Sequence, residues 1–521
     1  MKIRTTKTAS GSTAVQVVSY VKRKMVVLTH IGSAKDETGL VNLKAKAASW
    51  MGNQNKEERL LFDNLPIALN FKSEDEAEYD NSLVKSNYKS IGYRYQLLYE
   101  VLSSIINGKV GFGFRINDLK IHQIQMFIDL VIARIVGPGS KLQSLINLER
   151  DFAIKHEYRT LSRNLKNFSN LKDDLEEKVI NIAKKHFSFD FSLVFYDLTT
   201  LYFESFETDE LRKIGFSKDN KSSNPQIMIG LLVNKDGFPI SYQIFPGNKF
   251  EGHSLMASIL DLKKKYQIKN MTIVADSAML SDDNIEFIRK EKLNYIVAAR
   301  TANLKLNLIQ NIWEQLKRKD DKTIRIEAEN KGTLICHFSK ARYEKEKKEM
   351  EKQIDKAKSY LKTPSAAEII KRSKFLKNTN PGYEINQPLI IKTKLLLGIK
   401  GYYTNQQQLT DQEIIAHYKN LWQIEKAFRI SKSDLKIRPI YHHKECTIKA
   451  HLAICFTALA ISKYIEIKTG KSIKSTIDTL KSSVNAVIAN KTTGQKIILE
   501  SDINEKIKEL LEKLNCHTNL S

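Results

Sequence analysis

The chain has little cysteine and no paired cysteine motif. Its four cysteines, Cys336, Cys446, Cys455 and Cys516, show no CxxC spacing in 521 residues. This argues against a disulfide framework and indicates a reducing compartment. A zinc site formed by Cys446 with His442, His443 or His451 is the alternative, although the spacing is not that of a closed tetrahedral site.

Long apolar segments are also missing. The N-terminal stretch MKIRTTKTASGSTAV has no apolar core of the kind found in secretory signals. The longest apolar run, from Leu452 to Ile461, is too short to cross a bilayer. We therefore expect a cytosolic protein with no membrane partner.

Acidic residues are scarce relative to basic ones. The chain has 84 Lys and Arg residues against 59 Asp and Glu, a net charge of +25, and a sequence pI of about 9.5. Such a charge favours a polyanionic partner, usually nucleic acid. An anionic membrane surface is the competing partner, but the basic residues are spread along the chain and form no single basic amphipathic helix.

The first 185 residues predict a DNA-binding module that is mixed at its start and then helical. A β-hairpin is expected from Ala14 to Ile31, with the basic tip Lys22-Arg23-Lys24. A strongly apolar helix from His122 to Val136 should stop at Gly137-Pro138-Gly139. We interpret the GPGSK string there as a turn, because it lacks the spacing of a phosphate-binding loop.

A short helix is predicted after this turn, from Tyr158 to Phe168. Arg159, Arg163 and Lys166 share one face of it, and Leu161, Leu165 and Phe168 share another. The basic face could enter a DNA groove, or it could be an ordinary solvated surface.

Residues 186–300 change to a strand pattern with two helices, in the order β-β-β-α-β-α-β. The first strand, FSLVFY, ends at Asp197, and a second strand is expected from Leu201 to Phe206. The fourth, MTIVA, ends at Asp276. Such an order is typical of a mixed sheet with helices, hence of the α/β class. The first and fourth strands can lie side by side, which would bring Asp197 and Asp276 together.

The strand pattern is interrupted between residues 301 and 400 by an expected α+β insertion. Its predicted elements are a strand pair at 323–338, helices at 340–361 and 364–377, and strands resuming near 389–399. Residues 401–470 should complete the core, and residues 471–521 should form a helical tail.

One face of the helix expected after Asp411 combines aromatic, acidic and basic residues. At roughly 100° per residue, one line along the helix carries Tyr418, Trp422, Glu425, Arg429 and Lys432. A solvated charged face with a Glu–Arg pair is the simpler interpretation. With Asp197 and Asp276, however, Glu425 makes three carboxylates, which suit Mg²⁺ or Mn²⁺. Two such ions support in-line phosphoryl transfer, and Arg429 and Lys432 would hold phosphates beside them.

These residues resemble a known family. The spacing Tyr418-x2-Leu421-x3-Glu425-x6-Lys432 is similar to the Y-x2-R-x3-E-x6-K signature of bacterial insertion-sequence transposases of the DDE class. YDLTTLYFES around Asp197, IFPGN before Lys249, and VADSAM around Asp276 also look like that group. The resemblance covers roughly residues 190–460.

The resemblance implies a ribonuclease H-like catalytic core with an inserted region before the last catalytic residue. It implies that Asp197, Asp276 and Glu425 bind two Mg²⁺ or Mn²⁺ ions, and that Tyr418 and Lys432 contact transposon-end DNA. Leu421 departs from the signature arginine, and Arg429 is our candidate to replace that cation.

The implied function is DNA transposition. The protein would bind terminal inverted repeats, cleave the DNA there, and join the freed 3′-hydroxyl to target DNA, acting as at least a homodimer in the bacterial cytoplasm near the nucleoid. Two alternatives are a catalytically silent DNA-binding derivative that represses its element and a generic metal-dependent nuclease.

Overall fold

The computed structural model describes residues 2–8, 12–21, 24–34, 36, 39–40, 43–44, 46–47, 88–108, 119–249, 252–277, 281–362, 373–379 and 382–516. The chain divides into two compact units, residues 1–86 and 87–521.

The first unit contains a three-stranded antiparallel sheet. Its strands are β1 (Lys2–Lys7), β2 (Thr13–Val21) and β3 (Lys24–Ala34), in the order β1-β2-β3. Alternation along β2 buries Val15 and Val17 against Ala47. The predicted hairpin is thus confirmed as β2–β3, whereas Lys22 and Arg23 of its tip lie outside the described residues.

The second unit is built on an eight-stranded mixed sheet. Five of its strands are β5 (Leu193–Tyr202), β6 (Gln226–Val233), β7 (Pro239–Pro246), β8 (Thr272–Ala275) and β9 (Asn294–Ala298). Strands β5, β6 and β7 form an antiparallel meander, and β5, β8 and β9 run parallel. The predicted mixed α/β architecture is confirmed, including the pairing of β5 with β8.

The prediction that two strands flank Asp197 is wrong. A single strand, β5, runs through Asp197 to Tyr202. Its parallel partner β8 pairs only as far as Tyr196, whereas its antiparallel partner β6 pairs along the rest of the strand. Asp197 therefore lies where one neighbouring strand ends, in the interior of its own strand.

In the described part of the second unit, five helices precede the eight-stranded sheet in sequence: α1 (Gln96–Asn107), α2 (Ile121–Val136), α3 (Lys141–Phe152), α4 (Tyr158–Phe168) and α5 (Lys172–Phe187). Ser140 caps α3 by accepting a hydrogen bond from the amide of Gln143, so the GPGSK string is a turn between helices. The predicted boundary at residue 185 differs from the observed division, because α2, α4 and α5 bury their apolar faces against a helix of the sheet-containing unit, Glu445–Thr469.

Helices α6 (Gly252–Tyr266) and α7 (Asp282–Lys290) flank β8 in sequence. Ser281 caps α7, since its hydroxyl accepts a hydrogen bond from the amide of Asn284. Helix α6 contacts β6 and β7, and α7 contacts β9.

Strands of the predicted insertion join the same sheet. After α8 (Leu306–Leu316) come β10 (Thr323–Ala328), β11 (Gly332–Phe338) and the long helix α9 (Lys340–Lys362). A small hairpin, β12 (Leu376–Thr379) and β13 (Gly382–Ile385), precedes α10 (Gln387–Leu396) and β14 (Ile399–Thr404). The sheet order is β10-β11-β14-β9-β8-β5-β6-β7.

Two predictions in the insertion need correction. Most of the stretch predicted as a strand from 389 onwards is helix α10, which Asn386 caps by accepting a hydrogen bond from Leu389, and the strand starts only at Ile399. The helix predicted at 364–377 falls largely outside the described residues, and its last residues belong to strand β12.

The helix expected after Asp411 is interrupted. It consists of α11 (Asp411–Lys419), α12 (Trp422–Arg429) and a π-helical turn at Ile430–Asp434. The apolar residues of this stretch lie in the core, namely Leu421, Ile424, Phe428 and Leu435. Helix α11 contacts β8 and β9, and α12 contacts β5 and β6.

A central helix and a small sheet complete the unit. Helix α13 (Glu445–Thr469) is followed by α14 (Ile473–Lys481), β15 (Asn485–Asn490), β16 (Lys496–Leu499) and α15 (Glu505–Lys513). The tail is therefore not purely helical, since β15 pairs with β16 and with β4 (Tyr88–Arg94).

Among the described helices, α13 is long and apolar enough to cross a membrane, which the sequence prediction had excluded. Its apolar window is 94 % buried inside the unit. Length and composition are thus explained by its position in the core, where it contacts α2, α4, α5 and β7.

Candidate active site

Two of the three predicted acids lie at equivalent positions on neighbouring strands. Tyr196 of β5 pairs with Ala275 of β8 in parallel register, so Asp197 and Asp276 each follow one member of this pair. Side chains alternate along a strand. Since Tyr196 donates a hydrogen bond to Ser254 of α6 at 2.9 Å, Asp197 faces away from α6. This face of the sheet is covered by other elements, among which α12 contacts β5.

Asp276 contacts Tyr418, the first residue of the predicted line of aromatic, acidic and basic residues on the helix after Asp411. We call this line the mixed stripe. The Tyr418 hydroxyl donates to Oδ1 of Asp276 at 3.4 Å, and the same Oδ1 accepts the amide of Ser277 at 2.6 Å. Burial, with a contribution from Asp276, raises the pKa of the Tyr418 phenol. Tyr418 is thus a buried hydrogen-bond donor to the acid.

A lysine on β14 is electrostatically influenced by two of the acids. The Lys400 ammonium lies 4.4 Å from the centre of the Tyr418 ring. Burial and the nearby Arg342 lower the pKa of Lys400, while Asp276 and Glu425 oppose this effect. Lys400 therefore lies within electrostatic range of both Asp276 and Glu425.

Glu425 lies on α12, which contacts α13 on one side and the β6–β7 turn on the other. It is exposed on α12, whose residues Ile424, Ala427 and Phe428 are buried. The next residue, Lys426, forms an ion pair with Glu466 of α13 at 3.2 Å. On the other side, a Cβ added to Gly237 in the β6–β7 turn would lie 3.1 Å from the Cβ of Gln423. The sheet and α13 therefore determine where Glu425 stands.

The donor chemistry of these acids suits a divalent cation, because carboxylate oxygens are the ligands that Mg²⁺ and Mn²⁺ prefer. Asp276 and Glu425 are exposed and the Asp197 side chain is 24 % exposed, so their oxygens are accessible. Within the described ranges, no three His, Cys, Asp or Glu side chains are close enough together to hold a metal. Two lysines lie near these acids, with Lys218 close to Asp197 and Lys400 under the electrostatic influence of Asp276 and Glu425.

A loop between β5 and β6 links the acids to basic residues. The Lys218 ammonium donates to the carbonyl of Leu198 at 2.7 Å and lies 4.0 Å from Oδ1 of Asp197. Its neighbour Asp219 pairs with Lys432 at 3.4 Å and with Arg438 at 3.1 Å. Burial lowers the pKa of Lys432, and Asp219 partly offsets that effect. The loop thus connects Asp197 with the basic segment after α12.

Comparison with known proteins identifies the family. A family model described as a transposase DDE domain matches residues 189–461, more than half of the chain. The chain belongs to the transposase DDE domain family. This family match confirms the predicted DDE class.

Two solved transposase structures resemble this chain weakly, with low TM-scores. The piggyBac transposase synaptic complex with hairpin DNA, seen by cryo-EM, is 9 % identical, with 81 % of this chain and 79 % of that chain covered and a TM-score of 0.37. The Mos1 transposase paired-end complex with the left transposon end is 12 % identical, with 40 % and 60 % covered and a TM-score of 0.15. A comparison with curated proteins finds no match.

In this DDE transposase-family chain, the mixed stripe is not one continuous face. The helix tightens at Asn420–Leu421, where the amide of Leu421 donates to the carbonyl of Tyr418, and it widens in the π-helical turn. Tyr418 is therefore buried, Trp422, Glu425 and Arg429 are exposed, and Lys432 is partly buried against Asp219.

The other predicted DNA-contacting residues lie on α4. Arg159, Arg163 and Lys166 are exposed on the face opposite Leu161, Leu165 and Phe168, as the pattern indicated. No described contact joins these three cations to Asp197, Asp276 or Glu425. Their contact with DNA stays a prediction.

Sequence reasoning missed Lys218, Asp219 and Lys400. Each is an ordinary charged residue in a chain with many of them, and none belongs to a motif. Their significance lies in tertiary contacts with residues far away in the sequence, for which no local pattern gives a signal. The proposed zinc ligand His451 has other partners, because its ring bonds the carbonyl of Ile437 and the ammonium of Lys141.

Proposed function

We propose that this chain is a DNA transposase of an insertion sequence, with Asp197, Asp276 and Glu425 as its catalytic acids. It would bind the ends of its element, cleave them by phosphodiester hydrolysis and join the 3′-hydroxyl to target DNA. The single observation that carries the proposal is the parallel pairing of β5 with β8, which puts Asp197 and Asp276 at adjacent positions within a transposase DDE domain.

In the structure these three acids, all among the described residues, are not close enough together to hold a metal, and we propose that they converge to hold two Mg²⁺ or Mn²⁺ ions when DNA and the ions bind. Such ions, when bound, supply activation of the attacking oxygen and stabilisation of the leaving oxygen in phosphoryl transfer. The three carboxylates would orient these ions from two strands and one helix of a ribonuclease H-like core. Tyr418 holds Asp276 from the buried side, and its donated hydrogen bond limits the rotation of that carboxylate.

The basic residues supply the complementary charge for the substrate. A net charge of +25 favours association with the DNA backbone, and the exposed Arg429 lies one helical turn after Glu425. We propose that Lys432, Arg429 and the cations of α4 contact duplex DNA from terminal repeats and target. The protein would act as a homodimer, because two element ends must be processed together. Its place of action would be the cytoplasm.

Single substitutions of the three acids test the proposal. Asp197→Asn, Asp276→Asn and Glu425→Gln should each reduce cleavage by about 10³-fold or more, because each removes a charged ligand from the reacting centre. The substrate is labelled DNA that flanks the reading frame, incubated with purified protein and MgCl₂. The matched control is Glu286→Gln, an exposed acid on α7, which should cleave at the wild-type rate.

The same assay separates the alternatives. A generic nuclease would cleave random DNA as fast as element ends and would join neither. A silent derivative would bind the ends, yet show no cleavage even as wild type with Mn²⁺. Either outcome would reject the transposase proposal.

A further inference from the structure

A basic cavity of about 520 Å³ opens beside the segment that follows α12. It lies between the α2–α3 turn, the start of α4 and residues 436–442. Four of its lining residues are strong bases, and none of its described lining residues is acidic: Arg134, Lys141, Lys436 and Arg438. The cavity was not predicted, although the GPGSK string forms part of its wall.

Two of these bases are buried without a compensating acid. Arg134 is 3 % exposed; its guanidinium reaches the carbonyls of Leu435 and Lys436 only at 3.4 Å, and its buried Nε has no hydrogen-bond partner. Lys141 is 8 % exposed. Among the described residues, neither has an ion pair. A buried charge without a partner destabilises the folded state, so this wall of the cavity favours a bound anion.

The hydrogen bonds around Lys141 leave its charge uncompensated. Nε2 of His451 donates to the carbonyl of Ile437 at 3.0 Å, since a carbonyl can only accept. The Lys141 ammonium therefore donates to Nδ1 of a neutral His451, at 3.3 Å. The capped N-terminus of α3 at Ser140 adds a favourable dipole on the same wall.

The cavity is connected to the candidate active site. Arg438 on its wall shares Asp219 with Lys432, and the adjacent Lys218 contacts Asp197. In addition, the amide of Ile440 donates to the carbonyl of Tyr202 at the end of β5. The contacts that run from Asp197 through the Lys218–Asp219 loop to Arg438 therefore join the acids to the wall of the cavity.

We propose that the cavity binds a backbone phosphate of the DNA whose neighbouring phosphodiester is processed at the acids. Arg134 and Lys141 would meet the phosphate inside, and Lys436 would contact it at the rim. This inference rests on the proposed function for the identity of the ligand. It assigns a positioning role to the cavity, which would fix the register of the strand and take no part in bond cleavage.

Binding without chemistry tests the inference. Lys436 is exposed, so Lys436→Gln should fold normally, as a thermal melt would verify. Fluorescence anisotropy with a labelled duplex in EDTA should show the slope of log K against log salt reduced by about one. The loss should be equal for end-containing and random DNA, since a phosphate carries no sequence information. Lys496→Gln, an exposed lysine outside the cavity, is the matched control and should leave the slope unchanged.

A second arm identifies the phosphate. In a series of end duplexes, one backbone phosphate at a time is replaced by a neutral methylphosphonate. At one position near the cleavage site, the replacement should weaken the wild type but cause no further loss in Lys436→Gln or Arg134→Gln. Equal losses in wild type and variants at every position would overturn the inference.

A third arm separates backbone phosphate from free phosphate. If inorganic phosphate raises the Tm of the wild type but not of Lys436→Gln, while the DNA salt slope is the same in both, the cavity serves a free anion and the inference is overturned. Because every arm is run in EDTA, loss of cleavage activity would reject the proposed function without affecting these results.

Discussion

At the residue scale, Lys141 is the clearest case of a side chain in an unfavourable environment. Burial, together with the neighbouring Arg134, lowers the pKa of Lys141 to about 7, far below its usual value near 10.4. The other titratable groups that face it are His442, His451 and Cys455. Burial lowers the pKa of both histidines, and it raises the pKa of the thiol.

This shift predicts a pH dependence of stability. With no anion bound in the cavity, between about pH 7 and pH 10 the unfolded chain holds a proton on Lys141 that the folded chain has released, so stability rises with pH in that window. Lys141→Met should lack this contribution, whereas all other groups titrate as before. The free energy of unfolding of the wild type, measured relative to that of Lys141→Met in phosphate-free buffer, should therefore increase from pH 7 to pH 9.5. Parallel curves would show that Lys141 keeps its proton in the folded state.

At the element scale, the position of Glu425 depends on the turn between β6 and β7. Gly237 has φ +76°, which favours glycine, and an added Cβ would lie 3.1 Å from Gln423 of α12. Gly237→Ala should therefore lower stability by about 1–3 kcal/mol through backbone strain. It should also slow DNA cleavage, since α12 must shift and Glu425 with it.

A second glycine separates strain from displacement. Gly494, in the turn between β15 and β16, has φ +72° with no atom within 4 Å of an added Cβ. Gly494→Ala should lower the Tm by a comparable amount but leave the cleavage rate per folded molecule unchanged. If both variants affect cleavage equally, the contact between Gly237 and Gln423 does not control the site.

The element scale also shows what the sequence could and could not predict. MTIVA before Asp276 and FSLVFY before Asp197 were recognisable as buried strands, and so their adjacency was predictable from the strand order. The continuation of β5 beyond Asp197 depends on the unequal lengths of its two partners, β6 and β8. A local window contains no information on those lengths.

Capping and tertiary contacts explain the other differences. The apolar stretch from Leu389 has no decisive periodicity, and the cap at Asn386 makes it a helix. The tightening at Asn420–Leu421 removes Tyr418 from the predicted exposed line, because Tyr418 packs on Tyr402 and reaches Asp276. Lys218, Asp219 and Arg134 gain their importance from neighbours that lie far apart in the sequence.

At the scale of the whole molecule, charge should dominate affinity for DNA. With a net charge of +25, binding to random duplex should weaken by about 10³-fold or more between 50 and 200 mM salt, because neutralised phosphates release counterions. Anisotropy titrations at several salt concentrations measure this. A change of less than about tenfold would mean that few phosphates are contacted, and that the charge serves another partner.

The fold joins in one unit several segments that the sequence pattern had assigned to separate domains. Strands β10, β11 and β14 extend the sheet that carries Asp197 and Asp276, and α13 packs against both the N-terminal helices and β7. The acids, the basic loop and the cavity therefore share one unit, residues 87–521. This common framework is what allows distant residues to act on one DNA strand.

The most direct test of the central claim is metal-specific rescue of the three acids. Asp197→Cys, Asp276→Cys and Glu425→Cys are assayed for cleavage of end DNA in Mg²⁺ and in Mn²⁺, beside the wild type. A thiolate is a poor ligand for Mg²⁺ and a better one for softer ions. Each variant should be inactive in Mg²⁺ and regain partial activity in Mn²⁺. If any of the three variants cleaves in Mg²⁺ at the wild-type rate, the acid substituted in that variant is not a metal ligand, and the account is contradicted.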